Sequence, residues 1–150
     1  MLKCSLDFNN KINGIFGPSG SGKSTILNCI AGFISPDAGN IKINDKILYK
    51  ISESNFLRND NISLNAEHRN IGYVTQKPNL FPSMNVDKNL SFGLRMSNMG
   101  KQLIESKVKQ VSQLLQINEL FNRKPSQLSG GQKQRVAIGR ALVRDAKVFL

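Results

Sequence analysis

Acidic residues are scarce in this chain: 10 Asp and Glu stand against 21 Lys and Arg, giving a formal charge of +11 over 150 residues. Such a balance raises the question of phosphate-bearing partners, because clustered cations create a field that attracts them. The cations here are scattered, with no run of five or more and no interleaved aromatics, so no nucleic-acid partner is expected. Long apolar runs are missing too. Nothing approaches the ~18 consecutive apolar residues that span a bilayer, and the opening Met1-Leu2-Lys3-Cys4-Ser5-Leu6-Asp7 has no apolar signal core. The expectation is a cytosolic chain. The two cysteines, Cys4 and Cys29, have no metal or redox spacing and are expected to be reduced, mostly buried thiols. The single histidine, His68, sits beside Arg69 in a polar stretch and reads as a solvated surface residue. Internal repeats, low-complexity segments and sustained heptads are absent. What is present, 39% hydrophobic residues in 150, suffices for one sizeable core.

Along the chain, Ile12 to Phe16 form a short apolar run that predicts a strand, followed by a glycine-rich turn and a helical stretch over Ile26 to Ala31 that ends near Gly32. After the turn residues Ser35 to Gly39, Ile41-Lys42-Ile43 and Ile47 to Tyr49 predict two strands of a hairpin about Asn44-Asp45. The polar, Asn-rich segment from Ser52 to Glu67 reads as a surface loop, and Ile71 to Val74 as a buried strand leading to Gln76. A helical section begins around Val86, and Ile104, Val108, Val111 and Leu115 mark the apolar face of one of its helices. Another helix is expected from Gly130 to Arg144, and Lys147 to Leu150 starts an apolar strand.

Two motifs carry chemistry. Gly17-Pro18-Ser19-Gly20-Ser21-Gly22-Lys23-Ser24 fits G-x-x-x-x-G-K-[ST] between an expected strand and an expected helix. In such a loop, glycines let backbone N–H groups converge on phosphates and the helix N-terminus adds its positive dipole end. The lysine reaches the β- and γ-phosphates, and the hydroxyl of Ser24 ligates Mg²⁺. The second motif is Leu128-Ser129-Gly130-Gly131-Gln132, which opens a helix. Ser129 and Gln132 stand in the relation of a capping box. A cap does not need two successive glycines, each of which costs a helix up to about 1 kcal/mol relative to alanine. Close approach of a γ-phosphate to the helix N-terminus would need them.

With these motifs in order, the chain from about Phe8 to Leu150 resembles the ATP-binding-cassette (ABC) family, whose signature is LSGGQ. The resemblance implies an α/β fold: a P-loop NTPase (RecA-like) core sheet, with a helical subdomain inserted between the Q-loop and the signature. Residues 1–85 and 128–150 would form the nucleotide-binding core and 86–127 the helical subdomain. It implies that Gly17 to Thr25, including Ser19, Gly20, Ser21, Gly22 and Lys23, bind ATP. Gln76 would touch Mg²⁺, alongside Ser24, and position the attacking water. Two domains would pair head to tail, so that Ser129, Gly130, Gly131 and Gln132 of one close on the ATP held by the other.

The segments Glu67 to Gln76, Asn79-Leu80-Phe81-Pro82 and Val86 to Leu94 are similar to those of importer ATPases, most of all the molybdate type. This implies membrane permease subunits as partners, a periplasmic solute-binding protein as an indirect one, and a place on the cytoplasmic face of the membrane. The segment after Gln76 would receive a coupling helix, although Phe81 and Phe92 also read as core residues. The family's magnesium-binding Asp and water-polarising Glu would follow the strand that begins at Lys147, beyond residue 150. The chain alone is therefore expected to hydrolyse ATP barely, and its sheet to leave an edge unpaired. Two alternatives stand beside the importer: a soluble cassette ATPase working on DNA or ribosomes, and a non-functional remnant ending at Leu150. Chromosome-type relatives separate the two motifs by a long coiled coil, whereas Gly17 and Leu128 are 111 residues apart here, which favours the transporter form.

Overall fold

A computed structural model describes residues 2–8, 10–52 and 61–150. The chain divides into two compact units, Met1–Arg69 and Asn70–Leu150.

In the first unit, helix α1 (Lys23–Ala31) begins three residues before the apolar stretch suggested, because the glycine-rich loop itself feeds the first turn. Its C-terminus is closed by Gly32, whose N–H donates to Asn28 O at 3.0 Å. The expected hairpin forms: β1 (Gly39–Ile43) pairs antiparallel with β2 (Lys46–Ile51), with a register shift between Ile41 and Lys42. Asn44 turns the chain at φ 51°, a conformation asparagine tolerates better than most side chains. A third strand, β3 (Ile62–Ser63), adds to β2 inside the segment expected to be a loop throughout. Residues 53–60 of that segment lie outside the described residues. The unit buries Ala31, Leu48 and Tyr49, and the Tyr49 hydroxyl donates to the carbonyl of Pro36.

The expected strand over Ile12 to Phe16 does not form: it pairs with no strand among the described residues, and Ile12 and Phe16 are 91% and 95% exposed. β-branched and aromatic residues register suitability for a half-buried pleated surface. The ladder that makes a strand comes from a neighbour, and composition does not supply one.

In the second unit, β4 (Ile71–Gly72) pairs parallel with β5 (Val148–Phe149), and Val74 N–H donates to Leu150 O at 2.8 Å, carrying the pairing past the formal strand end. Three helices complete it: α2 (Val86–Met96), α3 (Lys101–Leu114) and α4 (Gly130–Leu142). Their shared core contains Val86, Leu90, Leu94, Ile104, Val108, Leu128, Val136 and Val143, with Val111 and Leu115 packed against it. The i, i+4 spacing of Val86, Leu90 and Leu94 places them on one face of α2. That face meets α4 where Gly139 has no side chain: a Cβ there would stand 2.6 Å from Leu90 Cδ2.

Candidate functional site

The loop preceding α1 is shaped by its glycines and by its own lysine. Gly20 and Gly22 hold φ of 82° and 90°, left-handed conformations that favour glycine. Gly22 is also the N-cap of α1 and offers no side-chain cap, so the first-turn N–H groups are left for an outside acceptor. Lys23 Nζ folds back and donates to Gly17 O at 2.9 Å and Pro18 O at 2.7 Å, and reaches Ser21 Oγ only at 3.4 Å. An ammonium has three donors. Two are committed to carbonyls, and the third is weakly engaged.

Around this lysine lies an open depression of about 370 Å³ lined by Ser19, Gly20, Gly22, Lys23, Ser24 and Thr25. An uncapped helix N-terminus, a cation and three exposed hydroxyls, of Ser19, Ser24 and Thr25, form a donor set for a phosphate. A Mg²⁺ ion fits only in part. Ser24 offers one hydroxyl, and no group of three or more His, Cys, Asp or Glu that could hold a metal exists among the described residues. Oxygens of a bound phosphate would have to complete its shell.

The second motif lies in the other unit. Its capping box is complete: Ser129 Oγ accepts from Gln132 N–H at 3.3 Å, and Gln132 Oε1 accepts from Ser129 N–H at 2.9 Å. Leu128 is buried and anchors the turn, while Ser129, Gly130 and Gly131 are exposed. Neither glycine has a positive φ, and a Cβ at either would meet nothing within 4 Å. This fold therefore gives no steric or conformational reason for glycine at 130 or 131.

Gln76 follows β4 in the same unit and is exposed. The segment behind it is held from two helices. Asn89 of α2, 1% exposed, accepts from Phe81 N–H at 2.9 Å through Oδ1 and donates through Nδ2 to Phe81 O, Met84 O and Asn85 O at 3.0 to 3.2 Å. Arg140 of α4 donates to Asn79 O at 2.7 Å and lies 4.6 Å over the Phe81 ring, which itself packs on Phe92. Burial holds the Arg140 guanidinium below its ordinary range. In the first unit, Arg69 is 5% exposed and donates to Cys29 O, Ile30 O and Leu64 O at 2.7 to 2.9 Å. It thereby satisfies the last carbonyls of α1 and stands where a Cβ at Gly32 would be. Burial lowers its pKa and raises those of Cys29 and Tyr49. Of the two cysteines expected to be mostly buried, Cys29 is only partly buried and Cys4 is exposed, because Cys4 lies in an N-terminal stretch that joins no strand or helix among the described residues.

Sequence reasoning passed over Asn89, Arg140 and Arg69. A signal existed for Asn89, a polar residue at i+3 from Val86 on the apolar face of α2. Arg140, flanked by the buried Gly139 and Ala141, carried a similar one. Arg69 carried none, because its partners are backbone carbonyls as many as 40 positions away.

The profile of one protein family, described as ABC transporter, matches residues 3–150. The molybdate/tungstate import ATP-binding protein of Methanocaldococcus jannaschii is 42% identical over 136 residues, covering 91% of this chain and 41% of that protein. The multiple sugar-binding transport ATP-binding protein of Streptococcus mutans is 43% identical over 146 residues, covering 97% of this chain and 35% of that one. The chain thus spans well under half the length of these curated relatives. Among solved structures, an ATP-binding cassette in a dimeric post-hydrolysis state bound to ADP and Pi superposes with a TM-score of 0.69 at 30% identity, covering 88% of this chain and 56% of that one.

Proposed function

The chain belongs to the ABC transporter family and has its ATPase fold, and from that premise we propose that it binds ATP as part of the ATPase motor of a solute importer. The carrying observation is the pair Gly130 and Gly131, exposed, non-strained and facing open space at a capped helix N-terminus. Glycines that the fold does not need are explained by a second molecule approaching the backbone.

In this reading Gly17 to Thr25 receive the phosphates of ATP. The first-turn N–H groups of α1 donate to phosphate oxygens, and Lys23 adds its remaining N–H and its charge. Ser24 would be a ligand to Mg²⁺, and Gln76 is proposed as another; the ion would offset the negative charge of the phosphates. Gln76 also orients the attacking water. Ser129 to Gln132 close on the nucleotide of a second copy paired head to tail, so neither site is complete in one chain. Residues 86–127 serve as the helical subdomain within a nucleotide-binding core of 1–85 and 128–150.

The complete motor works on the cytoplasmic face of the membrane with permease subunits, and indirectly with a periplasmic solute-binding protein. No described helix is long and apolar enough to cross a membrane itself. We infer an oxyanion of the molybdate type as the solute, supported by the 42% identical molybdate/tungstate relative. The 43% identical sugar relative makes uptake the deciding assay. In the full-length ATPase with its permease, ATP-dependent uptake of labelled molybdate is expected, with loss in Lys23→Ala. Uptake of a sugar instead would overturn the solute, and nucleotide binding indifferent to Lys23→Ala would overturn the site.

A further inference from the structure

The segment after Gln76 is hydrogen-bonded to α4, the helix that begins with Gly130 and Gly131, by the side chain of Arg140. Arg140 Nη1 donates to Asn79 O at 2.7 Å, across 61 positions of sequence, and its guanidinium covers the Phe81 ring at 4.6 Å. Asn79 holds φ 41°, and its Nδ2 donates back to Thr75 Oγ1 at 3.2 Å, so the arginine grips the turn that carries Gln76. Thr75 Oγ1 in turn donates to Lys77 O, spanning Gln76 itself. On the other side, Asn89 fixes Phe81 to α2. Arg140 is therefore a polar link from this turn to the glycine-bearing helix, and Asn89 a polar link to α2, beside the packing of Leu80 on the core.

We propose that Arg140 is a positioning residue that sets Gln76 against the signature helix, so that nucleotide engagement at Ser129 to Gln132 and the placement of Gln76 change together. The chemistry suits the role. A planar, permanently charged donor fork binds a carbonyl and stacks on an aromatic ring at once, which an ammonium cannot do with the same geometry. A hydrogen bond from a charged donor is also stronger than a neutral one. The loop Gly17 to Thr25 belongs to the other unit. The inference rests on the proposed roles of Gln76 and the signature.

The test uses the full-length ATPase and two variants, Arg140→Met and Arg140→Lys. Backbone ¹⁵N order parameters at Gln76, Lys77, Asn79 and Leu80 are expected to fall from about 0.85 to below about 0.6 in Arg140→Met, as the turn loses its anchor. The amides of α2 and α4 should stay protected from hydrogen exchange. ATP turnover should lose kcat about tenfold or more, the scale of losing a hydrogen bond from a charged donor, with KM and the Kd for MgATP unchanged, and Arg140→Lys should recover part of both losses. Unchanged order parameters at these four residues would overturn the proposal. So would a fall in protection spread over α2 and α4 in both variants, which is the mark of a merely structural residue. Gln76→Ala separates the two levels: undiminished turnover in that variant refutes the catalytic reading of Gln76, while the order parameters of the Arg140 variants still decide whether Arg140 holds the turn.

Discussion

Alanine in place of glycine at three positions of α4 should change stability in opposite directions within one helix. At Gly139 the added Cβ would lie 2.6 Å from Leu90 Cδ2 and 3.2 Å from Leu115 Cδ1, and Leu90 belongs to the buried core with no exposed side on which to retreat. Overpacking of this kind costs about 1–3 kcal/mol, against a helix-propensity gain of about 1 kcal/mol, so Gly139→Ala should lose roughly 1 kcal/mol net. At Gly130 and Gly131 the methyl group meets nothing within 4 Å and the backbone is already compatible. Each of those changes should therefore gain a few tenths of a kcal/mol to about 1 kcal/mol. Since about 1 kcal/mol moves the midpoint of a domain this size by roughly 2–4 °C, thermal unfolding of the three single variants resolves the signs. The same stabilised Gly131→Ala protein should lose nucleotide-dependent pairing of two copies, read by light scattering with a non-hydrolysable ATP analogue. Destabilisation by Gly131→Ala, or unimpaired pairing in it, would refute the argument that the glycine serves a second molecule.

Lys23→Ala should weaken MgATP binding at least tenfold in a fluorescent-nucleotide titration, because Lys23 is, among the described residues, the cation that lines the depression; a smaller change would show that backbone donors suffice. Asn89→Ala leaves the buried Phe81 N–H without its acceptor and should destabilise the chain by about 1–3 kcal/mol in urea unfolding, with the largest loss of exchange protection in residues 81–89. Burial raises the Cys29 thiol above its ordinary range, so the folded state holds that proton more tightly than the unfolded state does. The associated stability is present below the unfolded thiol pKa of about 8.5 and is lost as pH rises through the folded value. Iodoacetamide labelling followed by mass spectrometry should accordingly modify the exposed Cys4 before Cys29 at pH 8, and the order should vanish in denaturant. Equal rates in the native protein would contradict the burial.

The motifs were legible because each depends on residues close in sequence. The loop Gly17 to Ser24 is read from its glycines and lysine, and the capping box from Ser129 and Gln132, whose bonds span three positions. The same holds for the helices: apolar spacing marks the buried faces of α2 and α3. Legibility fails where a partner is distant. Ile12 to Phe16 have strand composition without a paired neighbour, and Ile62-Ser63 have a neighbour in β2 without strand composition around them. Arg69 acts on backbone carbonyls, which carry no side-chain signature, so no pattern of residue types could announce it, and the buried small residues beside Arg140 mark its position without naming the distant carbonyl it holds.

Lys23 carries one more implication, for the rate and entropy of capture. A free lysine side chain explores many rotamers, and fixing it forfeits about 1.5–2 kcal/mol. Here the ammonium is already moored to Gly17 O and Pro18 O. That ordering is settled when the chain folds, before any anion arrives, and in the proposed role an incoming phosphate would meet a stationary charge. The loop is thus its own template, its shape kept by the same cation that is proposed to receive the ligand.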